Sequence, residues 1–162
     1  MDASSLLRGL ATALLAGLLL VGAVAGAGAT TIIRVQSPKG LEAWLVNEPS
    51  IPIISLQVAW RRAGSASDPA AKAGLANLVS GLLDEGAGSL DSATFQRRLE
   101  ELAISLQFDA GRDRFGGALR TLSKNRDEAF KLFGLAISAP RCEAEPGERV
   151  RRQILSRLNG EQ

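Results

Sequence analysis

Residues 50–86, SIPIISLQVAWRRAGSASDPAAKAGLANLVSGLLDEG, hold the two patterns that decide the fold. In the first, Ile54, Leu56, Val58 and Trp60 alternate with Ser55, Gln57 and Ala59. Successive strand side chains point to opposite faces, so a period of two predicts a strand with one buried face. In the second, Asp68-Pro69 reads as a helix opening, a capping carboxylate followed by a Pro whose missing N–H costs nothing in the first turn. Leu75, Leu78, Val79, Leu82 and Leu83 then recur at helical spacing, predicting one apolar stripe on a helix that ends near Gly86.

Working outward, residues 30–35 and 41–47 are β-favouring runs about a Pro38-Lys39-Gly40 turn and predict a hairpin. Trp44 and Trp60 are expected in the core. Toward the carboxyl end, a second helix starts near Asp91 and carries Phe95, Leu99 and Leu102. Ile104, Leu106, Phe108 and Ala110 alternate, turn at Gly111 and return through residues 115–121 as a second hairpin. A third helix, residues 124–138, presents Ala129, Phe130, Leu132, Phe133, Ala136 and Ile137, and Pro140 ends it. A last helix, residues 145–158, places Val150, Ile154 and Leu158 on one face. The order βββααββαα predicts one α+β domain over residues 30–162, a mixed or antiparallel sheet covered on one face by helices. No strand follows the last helix, which leads us to expect part of a longer protein.

Composition removes several functions. The 162 residues contain no His, so no Ser-His-Asp or Cys-His relay and no imidazole metal ligand can form. Lys and Arg number 19 against 17 Asp and Glu, a weak net field, and Arg61-Arg62, Arg97-Arg98 and Arg151-Arg152 are scattered among acids. With 4% aromatic residues, nucleic-acid binding is not expected. Residues 9–29 carry no charge, follow Arg8 and end in Ala27-Gly28-Ala29, which predicts a signal peptide over residues 1–29 and a periplasmic or secreted protein. The alternative is a retained membrane anchor, since about 20 apolar residues can span a bilayer. Cys142 is the lone cysteine, excludes an internal disulfide, and reads as a small buried apolar residue. Gly86-Ala87-Gly88 lacks the Lys-Ser/Thr of a phosphate loop and reads as a turn. Asp84 and Glu85 would point about 100° apart on a helix, a solvated helix end rather than an acid-base pair. Glu143, Glu145 and Glu148 are favourable charges near a helix amino end, or a remnant of a catalytic site.

The run from the first hairpin through residues 50–60, Gly64-Ser65, Asp68-Pro69 and Lys72-Ala73-Gly74-Leu75-Ala76 resembles the start of a domain of the M16 peptidases (insulinase, pitrilysin, processing peptidase). The resemblance covers residues 35–158 and implies an M16 metallopeptidase-like α/β sandwich. In that family the helix after Gly-Leu-Ala bears His-x-x-Glu-His. Two His at i and i+4 share a helix face and hold zinc, the Glu serves as base for the metal-bound water, and a distant Glu is the third ligand. Matched to that motif, Asn77 stands at the first His, Ser80 at the Glu and Gly81 at the second His. Val150-Arg151-Arg152-Gln153-Ile154 matches the third-ligand pattern with Gln153 in place of Glu. Leu82-Leu83-Asp84-Glu85-Gly86-Ala87-Gly88 looks like the members of the family without a metal site.

The resemblance thus implies an exported M16-like pseudo-peptidase subunit with no catalytic residue and no metal or other cofactor, zinc being the cofactor of the family it resembles. Its expected partners are an active zinc-dependent M16 homologue, extended peptide, or both. Peptide would add to a sheet edge, for which residues 51–60 are the candidate strand. Two alternatives stand beside this: an active metalloendopeptidase with carboxylate and amide ligands, and a fragment without a role of its own.

Overall fold

A computed structural model describes residues 31–160. The predicted signal peptide or anchor, residues 1–29, lies outside the described residues, and among those described no helix is long and apolar enough to cross a membrane. The chain divides into two units, Met1–Pro49 and Ser50–Gln162.

The first unit carries the predicted hairpin. Strands β1 (Ile32–Gln36) and β2 (Glu42–Val46) pair antiparallel with Arg34 opposite Trp44. Gly40, at φ 84°, makes the turn, and its N–H donates to the Ser37 carbonyl at 2.9 Å. The Arg34 guanidinium pairs with the Glu42 carboxylate. Contrary to expectation, Trp44 is 75% exposed. A two-stranded ribbon has no second layer of its own, and the indole N–H donates to Glu42 Oε1 at 3.0 Å.

The second unit is built on an antiparallel sheet of order β3-β5-β4, with β3 at Ile53–Arg61, β4 at Ser105–Ala110 and β5 at Arg114–Leu122. The register sets Leu56 and Leu106 on either side of Leu119, and Val58 and Phe108 on either side of Gly117. Period two holds: Leu56 and Val58 lean against the core, while Ser55 and Gln57 are exposed. Trp60 lies at the end of the strand and is 37% exposed, with its ring centroid 6.0 Å from that of Phe115.

Helices cover the core face of this sheet. Helix α2 (Ser92–Glu101) begins where Asp91 Oδ1 accepts the Thr94 N–H at 2.8 Å, and buries Phe95 and Leu99. Helix α3 (Arg126–Ser138) buries Ala129, Leu132, Phe133 and Ala136, and Asn125 ties its start to the Leu102 carbonyl at 2.6 Å. Phe130 and Ile137, expected in the stripe, lie to the side at 43% and 37% exposure. Phe95, Leu119, Leu132 and Ala136 are essentially inaccessible, and Phe133 stacks on Phe108 at 5.9 Å. Helix α4 (Ala144–Gly160) buries Val150 and leaves Leu158 exposed. Cys142 is exposed, because it sits in the loop between α3 and α4 rather than on a packed face.

The helix predicted over residues 68–86 is shorter and broken. A single 3-10 turn, Ala70–Lys72, follows Pro69, and only Leu75–Ser80 (α1) is α-helical. Gly74 adopts φ 90°, which bends the chain between the two pieces. Asp68 does cap, but across the bend: its carboxylate accepts from Gly74 N and Ala76 N at 2.9 and 3.0 Å. Leu82 and Leu83 are buried as the stripe predicts, whereas Leu75 is 38% exposed.

Candidate functional site

A cleft of about 540 Å³ opens between α1, α4 and β4, and it gathers the four positions singled out in the sequence. Asn77 and Ser80 come from α1, Gly81 follows at its end, and Gln153 comes across from α4. Gln107 and Phe108 of β4 complete one wall. The sheet edge that borders the cleft is therefore β4; β3, the strand singled out in the sequence, is an edge as well but contributes no lining residue.

Zinc takes imidazole, thiolate or carboxylate ligands. The four positions offer two carboxamides, a hydroxyl and no fourth side chain, and the Ser80 hydroxyl already donates to the Asn77 carbonyl at 2.8 Å. A Cβ on Gly81 would stand 2.6 Å from Val150 Cγ1, so the room for a ligand at 81 is filled by a methyl group. This set does not fit zinc. Among the described residues no three His, Cys, Asp or Glu side chains form a group that could hold a metal ion.

Asp84 and Glu85 differ from the solvated helix end expected of them. Both line the cleft and are half-buried, and the two carboxylates have opposite fates. Arg149 of α4 grips Glu85 with both arms, Nη1 to Oε1 at 2.9 Å and Nη2 to Oε2 at 2.6 Å, and Ser92 Oγ donates to Oε2 at 2.6 Å. That guanidinium holds the Glu85 carboxyl below its ordinary range, with burial opposing and Ser92 assisting. Burial instead pushes the Asp84 carboxyl up, against a smaller lowering from its own backbone N–H. Asp84 makes no salt bridge among the described residues; at the far end of the cleft neither does Arg157.

Gly86 and Gly88 form a turn, as the sequence indicates. Gly86 sits at φ 113°, its carbonyl accepts from Arg141 N at 2.9 Å, and the Gly88 N–H donates to the Ala139 carbonyl at 2.8 Å. Of the three glutamates near α4, Glu143 pairs with Arg141 at 2.5 Å, Glu148 pairs with Arg151 at 3.7 Å, and none of the three lines the cleft. Sequence reasoning missed Arg149, Arg157 and Gln107. Arg149, Gln153 and Arg157 recur every four residues, so one α4 face was readable once Gln153 had been placed; nothing local pointed to Gln107.

No protein-family model matches the chain. Among solved structures, the peptidase M16 inactive domain from Pseudomonas fluorescens superposes with a TM-score of 0.70 at 26% identity, over 78% of this chain and 31% of that one. The fold is that of an M16 peptidase domain. Pitrilysin shares it at a TM-score of 0.68 and 21% identity, over 82% of this chain and 14% of that one. The curated Non-peptidase homolog YmxG of Helicobacter pylori (strain ATCC 700392 / 26695) is 29% identical over 123 residues, 70% of this chain and 28% of the relative. The chain thus spans under a third of each of these relatives. Of these three, one is described as an inactive M16 domain and one as a non-peptidase homologue.

Proposed function

We propose that the chain is an exported M16-like pseudo-peptidase that binds extended peptide and pairs with an active, zinc-dependent M16 homologue. The observation that carries this reading is the cleft itself. Two segments far apart in sequence, residues 77–81 and Gln153, converge on one cleft, yet their four positions present amides, a hydroxyl and a glycine with Val150 pressed against it. A hydrolase of this type needs a metal to make hydroxide near neutral pH, lowering the pKa of bound water to about 7. With no donor set for that metal, the cleft keeps the means to bind and lacks the means to cut.

Peptide binding draws support from β4. It pairs with β5 on one side, and among the described residues its other side has no strand partner. An added extended segment would satisfy those backbone groups, while Asn77, Gln107 and Gln153 offer further donors and acceptors. Export rests on the uncharged run of residues 9–29.

Co-expression of the full chain with a His-x-x-Glu-His homologue from the same genome tests the proposal. The two should co-purify in fixed ratio, with peptide hydrolysis by the pair and none by this chain alone. Chelator-sensitive hydrolysis by this chain alone, with stoichiometric zinc, would overturn it in favour of an active enzyme with unusual ligands.

A further inference from the structure

The charges of the cleft are distributed unevenly along its length. Arg149, Gln153 and Arg157 follow one another at four-residue intervals on α4, so Arg149 and Arg157 stand about 12 Å apart along the axis. At the near end Arg149 is committed to Glu85 through both guanidinium arms. Asp84, next to that pair, is left as an anion without a salt bridge among the described residues, and Arg157 is left as a cation at the other end. Between them lie the carboxamides of Asn77, Gln107 and Gln153, neutral groups that can serve a backbone of either chain direction.

Resting on the peptide-binding reading above, we infer that the cleft selects extended peptides bearing a cationic side chain set against Asp84 and, four residues along, an anionic group set against Arg157. The spacing takes as its span the rise along α4 from Arg149, whose partner Glu85 adjoins Asp84, to Arg157. An extended chain advances about 3.3 Å per residue, so four residues cover about 13 Å, and residues i and i+4 point to the same face. Asp84 also costs the fold something, since burial disfavours its charged form more than its own backbone N–H and the nearby Arg149 offset, and among the described residues it has no salt bridge. A carboxylate held in a cleft at the expense of stability is the kind of group a ligand cation would complete.

Fluorescence anisotropy with the full chain and labelled ten-residue Thr/Val/Ser peptides tests this. Two charged probes carry Lys and Glu four residues apart, in either order, and a neutral probe carries Gln at both positions. The better charged probe should bind about ten-fold tighter than the neutral one, the sum of two charge contacts, one at half-buried Asp84 and one at exposed Arg157. Asp84→Asn and Arg157→Gln should each weaken that probe about three-fold and leave the neutral probe unchanged. Asp84→Asn should at the same time raise the melting temperature at pH 7, so that its lost affinity cannot be a folding defect. Equal binding of charged and neutral probes, or equal weakening of both by the variants, overturns the charge selection and leaves peptide binding standing. Absence of binding by every probe overturns both.

Discussion

Gly81 is small because a neighbour demands it. Its backbone lies in the ordinary right-handed region at φ −84°, so no conformational need excludes a side chain. What excludes one is Val150 Cγ1, 2.6 Å from where a Cβ would stand. Valine has a stiff χ1 and Val150 is 5% exposed, so the methyl group has little freedom to retreat. Replacing Gly by Ala near a helix end ordinarily gains up to about 1 kcal/mol. Here overpacking should dominate, and Gly81→Ala should cost about 1–3 kcal/mol in urea unfolding. Adding Val150→Ala should return part of that cost, giving a double-mutant penalty smaller than the sum of the singles. A neutral or stabilising Gly81→Ala would mean that the site at 81 is open after all.

At the scale of elements, α4 is fastened to the segment after α1 by the Arg149–Glu85 pair, formed across 64 residues of sequence. The Glu85 side chain is only 12% exposed, so removing its partner strands a mostly buried anion that retains Ser92 alone. Arg149→Met should therefore cost about 1–3 kcal/mol at pH 7. The sign of its pH dependence follows from the lowered Glu85 carboxyl. The pair's contribution is complete above the ordinary glutamate value of 4.5 and is lost as pH falls through the lower folded value. Wild type and Arg149→Met should thus converge in stability on acidification; a penalty independent of pH would show that lost packing by the Arg stem, not charge, sets it. This pair also marks how far sequence can be read. Helices α2 and α3 were legible because caps and apolar spacing are local signals, as Asp91 with Phe95 and Leu99 illustrates. The break at Gly74 and the long-range Arg149–Glu85 contact depend on what the rest of the chain brings nearby, which no short window contains.

In the molecule as a whole, the core lies where α2 and α3 meet β4 and β5, while the cleft lies on the side of α1 and α4. Ten buried residues form that core, and Phe95, Leu119 and Leu132 are its largest fully buried apolar members. Apolar spacing marks Phe95, Leu99, Leu106, Leu132 and Phe133 but singles out neither Leu119 nor Ala87, and the four positions matched to the metal motif by family resemblance line one cleft. Apolar residue type misplaced Trp44, Trp60 and Cys142, because it states a preference for burial without specifying which layer will supply it. The two regions should therefore separate in experiment. Phe95→Ala removes an aromatic ring from a site with no exposure and should cost about 3–5 kcal/mol, a large fraction of a domain's usual 5–15 kcal/mol. Gln153→Ala, at an exposed position lining the cleft, should change stability by less than about 0.5 kcal/mol. Urea unfolding followed by far-UV circular dichroism measures both. A Gln153→Ala penalty approaching that of Phe95→Ala would make the cleft a structural element of the fold rather than a surface available for binding.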